Sequence, residues 1–216
     1  ANGGYLMVVA ARAAVHATDK PDPLTVTAHY LAPAAAGPLE ARVTVHRIGG
    51  RHASASVVVS AGGTDALVVL VTTTDLGRAD GPQRIDSVPP ELPDPVDCPR
   101  LTTASGAPAL MDHVDLRLHP EDGGPAGPAS RAPGLPRMRG WFRVGEGQDM
   151  DTLGVLQASD AFPPTILNAD QPLAWVPTVE LTTEVRGRPT SEWLACSFTT
   201  RFIQGGYLEE DGEIWD

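Results

Sequence analysis

The chain has 216 residues, 42% of them hydrophobic, which is enough apolar content for one large domain or two small ones. Its net charge of −11 at pH 7 and pI near 4.9 repel nucleic acid phosphates and anionic membranes, so neither is an expected partner. No apolar run approaches the ~18 to 20 residues of a membrane helix and the first residues carry no charged leader, so the sequence reads as soluble and cytoplasmic.

Cys98 and Cys196 are too few for a disulfide framework and neither lies in a Cys-x-x-Cys pair. Two free thiols and no structural metal are expected. Lys20 is the single lysine beside 15 arginines, so an anionic ligand would need a local arginine cluster.

Gly4 to Ala17 is Ala-rich and apolar all round, the pattern of a helix buried on most sides, with Asn2 as its N-cap and Pro21 and Pro23 just past its end. Leu24–Leu31, Leu39–Ile48, His52–Ala61 and Ala66–Thr73 have β character, and Gly49-Gly50 and Gly62-Gly63 supply turns. They predict an antiparallel meander after one central helix. Asp75 to Pro108 is Pro-rich and aperiodic, a linker. Strand patterns come next at Leu110–His119 and Arg137–Val144, separated by a Gly/Pro-rich loop over Glu121–Pro136 that reads as mobile without ligand.

Leu153, Leu156 and Asp160 fall at helical spacing, which places a carboxylate on the apolar stripe of a second helix. A lone ionised carboxylate is costly away from water, so it must be well hydrogen-bonded or serve chemistry. Pro163 and Pro164 break the helix near Phe162, which would let Asp160 reach free amides of the next turn and stay ionised. The plainer reading is an N-cap for the turn over Pro163–Leu167. Strands are then expected near Ala174–Val185, Trp193–Ile203 and Tyr207–Trp215. The helix-then-meander order recurs: Pro23–Pro33 and Pro177–Pro189 come after the two helices at a similar distance.

Four stretches, in this order, resemble the acyl-CoA thioesterase II (TesB-like) family in its actinobacterial branch. Asn2-Gly-Gly-Tyr-Leu-Met7 is similar to the start of its first helix, and His29-Tyr-Leu-Ala-Pro33 to a strand end. Leu156-Gln-Ala-Ser-Asp160 is similar to its catalytic-aspartate helix, and Gly206–Asp216 to its penultimate hairpin. The resemblance implies an α+β double hotdog, each unit a long helix wrapped by an antiparallel sheet. Residues 1–75 would form the N-terminal unit, 76–109 the linker and 110–216 the C-terminal unit. The first strand of one unit and the last strand of the other fall outside these residues.

The activity so implied is hydrolysis of an acyl-CoA thioester to free acid and CoA, with Asp160 holding the attacking water. Its hydroxyl partner would be Thr178, which matches the family's position best, or Thr182; both share a strand face with Glu180, and on the residues alone a β-branched packing role is the commoner one for a strand threonine. The family's third partner is a glutamine on a strand beyond Asp216, and Gln204 lies on a different strand. Gly3 and Gly4 would let substrate approach the first helix, whose amides could bind an oxyanion or a CoA phosphate; tight helix-sheet packing is the competing reading. Arg137, Arg139 and Arg143, or Arg186, Arg188 and Arg201, could meet the phosphates.

No cofactor is implied, since CoA belongs to the substrate, and no metal; a homo-oligomer is expected by the same resemblance. The alternative is a noncatalytic acyl-CoA or acyl-chain binder on the same fold. A hydratase would need an Asp/His pair that His16 and His29 do not supply. His113, Asp115, Arg117 and His119 read as a solvated strand face, and Gly145-x-Gly147 lacks the context of a nucleotide loop.

Overall fold

The computed structural model describes residues 2–122, 135–145, 147–169, 171–172 and 175–216. The chain divides into two compact units that interleave in sequence. The first comprises Ala1–Arg84, Asp151–Asp160 and Pro177–Pro189, and the second Ile85–Met150, Ala161–Val176 and Thr190–Asp216. Two short segments from the C-terminal half therefore pack with the N-terminal residues rather than within a continuous 110–216 unit.

The first unit begins with helix α1 (Gly3–Thr18), capped by Asn2, whose side chain accepts from Tyr5 N. Strands β1 (Asp22–Tyr30), β2 (Leu39–Ile48), β3 (Ala53–Ala61) and β4 (Thr64–Thr74) come next. Helix α1 buries Leu6, Met7, Ala10, Ala11 and Ala14. Small alanines at this spacing allow the helix to lie close against the sheet. Facing them, Val57, Val59, Val69, Val71, Val26 and Ala28 are fully or almost fully buried at the two-residue period of a covered strand face. Strands β2, β3 and β4 form the expected meander, but β1 pairs with the far edge of β4 instead of with β2.

The second unit carries β5 (Val114–Leu118) and β6 (Arg137–Val144). Helix α2 (Thr152–Ala158) and strand β7 (Glu180–Glu184) return to the first unit; β8 (Leu194–Thr199), β9 (Ile203–Gln204), β10 (Tyr207–Leu208) and β11 (Asp211–Trp215) complete the second. Its four-stranded sheet runs β11-β8-β6-β5 over Leu116, Met138, Phe142, Leu194 and Phe198, with β9 and β10 as a hairpin. Residues 110–112, expected as strand, form a 3-10 turn. Most of the loop read as mobile, residues 123–134, lies outside the described residues, as does Ala174.

The solvated face expected for β5 is covered. Asp115 is 4% exposed and pairs with Arg100, Arg117 and Arg143, and the last two guanidinium groups lie 5.3 and 4.5 Å from the Trp193 ring centre. Burial opposes ionisation of Asp115, but the Arg117 hydrogen bond and the surrounding guanidinium charges hold it below its ordinary value. Alternating polar residues thus mark an ion-paired layer here, because long arginine stems roof the carboxylate.

In the first unit β7 pairs antiparallel with β1, setting Thr27 opposite Thr182 and His29 opposite Glu180. The two repeat-related strands recognised in the sequence are thus neighbours in one sheet. An ionic joint between the buried Asp22 and the exposed Arg188 holds the late segments in place. The Asp22 carboxylate accepts from Arg188 Nη2 at 2.7 Å, Arg188 Nε at 3.0 Å, Leu76 N at 2.8 Å and Thr152 Oγ1 at 3.4 Å. Arg188→Met should therefore remove the charged donor to a buried carboxylate that keeps its Leu76 and Thr152 bonds, and lower unfolding stability by about 1 to 2 kcal/mol in urea titration; no measurable loss would contradict this role.

Candidate active site

Helix α2 ends at Ala158, with Ser159 as C-cap, so Asp160 lies just beyond the helix rather than on its apolar stripe. A seven-residue helix is too short to carry it. Ser159 is tied down on both sides: its hydroxyl donates to Leu156 O at 2.8 Å and accepts from Thr183 Oγ1 at 3.0 Å. This corner turns the half-buried Asp160 toward the start of α1.

Gly4 N donates to Asp160 Oδ2 at 2.8 Å, and Asn2 Nδ2 donates to the same oxygen at 3.1 Å and to Asp160 O at 2.9 Å. Thr178 Oγ1 donates to Oδ1 at 3.3 Å. The amides that receive Asp160 therefore belong to α1, not to the next turn as its prolines suggested. That next turn, Thr165–Asn168, has Pro164 at its N-cap position and no side-chain cap, which removes the N-cap reading of Asp160.

Of the two candidate hydroxyls, the structure brings Thr178 to the carboxylate. Thr182 Oγ1 instead donates to Glu180 Oε1 at 2.6 Å and is within hydrogen-bond distance, 3.0 Å, of Thr27 Oγ1. Thr178 precedes β7, whereas Thr182 lies within it and faces β1.

The glycines have a steric reason. A Cβ on residue 3 would stand 2.8 Å from Asp160 Oδ2 and 2.9 Å from Tyr30 Oη, and one on residue 4 would stand 3.0 Å from Gln157 O. Only glycine lets α1 approach this closely. Because Gly4 N is already engaged by Asp160, it is not free for a substrate oxyanion. Sequence reasoning identified Asn2 only as a cap; its amide does two things, accepting from Tyr5 N and donating to Asp160. Tyr30 was also missed as a site neighbour, although it lies in a stretch that carries the family resemblance.

Burial is the largest influence on Asp160 and raises its pKa; the hydrogen bonds from Gly4, Thr178, Asn2 and Gly3 act in the opposite direction without cancelling it. The site is thus a carboxylate ready to accept a proton but still held by donors. The expected ionised form is opposed, on balance, by desolvation.

The arginines proposed for CoA phosphates are all engaged by acids. Arg137 and Arg139 bind Asp122, Arg143 binds Asp115 and Glu192, Arg186 binds Glu184, Arg188 binds Asp22 and Asp75, and Arg201 binds Glu209 and Asp211. His119, Glu121 and Asp122 bring possible metal-ligating atoms within 4.8 Å of one another, but Arg137 and Arg139 already occupy the two acids. No helix among the described residues is long and apolar enough to cross a membrane.

A long helix packed against an antiparallel sheet is the hotdog arrangement, and solved structures share the fold. A candidate thioesterase II of Thermobifida fusca YX is 28% identical, with a TM-score of 0.85, over 100% of this chain and 80% of that one. A hot dog-fold protein of Alicyclobacillus acidocaldarius is 20% identical, with a TM-score of 0.83, over 99% of this chain and 80% of its own. The acyl-CoA thioesterase II TesB2 of Mycobacterium marinum is 20% identical, with a TM-score of 0.72, over 98% and 81%. The fold is an α+β double hotdog.

The N-terminal domain model of the acyl-CoA thioesterases matches residues 1–76 and the C-terminal domain model matches residues 90–216. The chain belongs to the acyl-CoA thioesterase family and is a hydrolase. No curated protein matches it.

The raised pKa has a signed consequence. The folded state holds the Asp160 proton more tightly than the unfolded chain, so this group's contribution to stability falls as pH rises from its ordinary 3.8 through the raised midpoint. A carboxyl-13C titration should place the Asp160 midpoint above 3.8, and Asn2→Ala should raise it further by removing a donor. A midpoint at or below 3.8, or no response to Asn2→Ala, would contradict this balance.

Proposed function

We propose that the protein hydrolyses acyl-CoA thioesters by direct attack of a water held between Asp160 and Thr178. The observation that carries this reading is the asymmetry of the carboxylate. Oδ2 accepts from Gly4 N and Asn2 Nδ2 at 2.8 and 3.1 Å, whereas the donor placed on Oδ1 among the described residues is Thr178, at the longer distance of 3.3 Å. An ionised oxygen with a spare lone pair and a neighbouring hydroxyl is the arrangement that a water-activating base requires.

The chemistry balances simply. Asp160 takes a proton from water as the new O–C bond forms and the carbonyl pair moves to oxygen. Collapse of the tetrahedral intermediate then breaks the C–S bond, and the proton held by Asp160 passes to the departing thiolate. The products are a carboxylic acid and free CoA thiol. Desolvation favours the first step by making Asp160 a better proton acceptor than an exposed aspartate. No step in this route requires a metal or redox cofactor. By the same family reading the protein works in the cytoplasm as a homo-oligomer.

One observation favours a second reading, noncatalytic acyl-chain binding. An open, mainly apolar groove of about 350 Å³ runs along α1, lined by Tyr5, Val8, Val9, Ala13 and Ala41, with Arg12 and His16 at its border. Saturable acyl-CoA binding without CoA release would favour that reading. For the hydrolase, Asp160→Asn should lower kcat on hexanoyl- or decanoyl-CoA at least 100-fold, with CoA thiol release as the readout. Thr178→Val should lower it about tenfold and Thr182→Val should change it little. Parental turnover by folded Asp160→Asn would overturn the mechanism.

A further inference from the structure

Tyr30 ends β1, and its backbone N donates to Val179 O at 3.0 Å, beside the hydroxyl-bearing Thr178. Its phenol packs against the core of the first unit, and its oxygen is buried with no hydrogen-bond partner among the described residues. A hydroxyl in that state is destabilising relative to a satisfied one, and phenylalanine would fill the same space without this cost. The same oxygen lies 2.9 Å from the point where a residue-3 Cβ would stand, and Asp160 Oδ2 lies 2.8 Å from that point. The unused hydroxyl and the carboxylate therefore share the small space that glycine leaves beside α1.

Proton counting gives the hydroxyl a use. Thr178 has one hydroxyl proton, which it donates to Asp160 Oδ1. If the attacking water accepts that proton, Asp160 loses a donor just when it must remain ionised. Tyr30 holds a proton committed to nothing.

We infer that Tyr30 is a positioning residue whose hydroxyl donates to the Asp160 carboxylate when Thr178 turns to the attacking water. This rests on the hydrolytic reading of Asp160. Burial, and then the negative charges of Asp160 and Glu180, push the Tyr30 pKa upward, so the phenol stays protonated and acts only as a donor. The charged groups that act on Tyr30 are Asp160 and, from β7, Glu180; the first turn of α1 contributes no acid. The exchange lets Asp160 keep its hydrogen-bond support while one donor serves the water.

Tyr30→Phe tests this, because it removes the proton and little else. The acid limb of kcat for decanoyl-CoA, which reports the substrate-bound enzyme, should move up by about half a pH unit or more, with KM within twofold of the parent. The melting temperature should be unchanged or higher, since a buried unpartnered hydroxyl is lost. A purely structural tyrosine would instead lower the melting temperature and leave the limb in place. A carboxyl-13C titration of Asp160 in the same variant, bound to a non-hydrolysable thioether analogue of decanoyl-CoA, reads the shift without turnover. An unmoved limb and an unmoved titration overturn the role of Tyr30. Parental activity in Asp160→Asn overturns the hydrolytic reading itself, while the titration still decides whether Tyr30 supports Asp160.

Discussion

The arrangement around Asp160 depends on one contact: a carboxylate from the corner after α2 received by the N-terminus of α1. Gly4 N and Asn2 Nδ2 both donate to Oδ2, and the positive end of the helix dipole lies behind them. Without these donors, burial would leave an acid too readily protonated to serve as a base. With them, the same burial makes the group a stronger proton acceptor than a surface aspartate while the donors keep ionisation accessible. The proton affinity of Asp160 is the outcome of two opposed effects.

That contact in turn requires precision elsewhere in the first unit. The residues that carry Asp160 and Thr178 come late in the chain, yet they join the sheet and helix formed by the first 84 residues. Strand β7 is fixed by its antiparallel pairing with β1, Ser159 is fixed by Thr183, and the segment after β7 is fixed by the Arg188–Asp22 joint. Each is a directional polar contact where apolar packing alone would tolerate sliding. The glycines at positions 3 and 4 complete the fit by removing Cβ atoms that would collide with Asp160, Tyr30 and Gln157 O.

Much of this was legible in the sequence, for identifiable reasons. The Ala-rich run of α1 and the alternation of β3 and β4 come directly from burial on one face, and Asn2 announced the helix start. The repeat was visible as two Pro-bounded strands, which prove to pair with each other. Asp160 stood out because an acid at that spacing conflicts with its neighbours. What could not be read was which amides it would meet, since local chain logic pointed to the proline turn and a contact 156 residues away in sequence prevailed. Period-two spacing likewise grouped Thr178 with Thr182, and only the point where β7 begins separates them. The β5 face misled because ion-paired arginines and solvated ones look alike in sequence.

The central claim is that ionised Asp160 activates water and does not itself bond to the acyl group. Single-turnover hydrolysis of decanoyl-CoA in 18O-labelled water, followed by mass spectrometry of the product acid and of the peptide containing Asp160, measures this directly. Direct attack predicts one labelled oxygen in the acid and none in Asp160. Label in the Asp160 side chain would mean that the carboxylate had formed an acyl anhydride, and would contradict the mechanism.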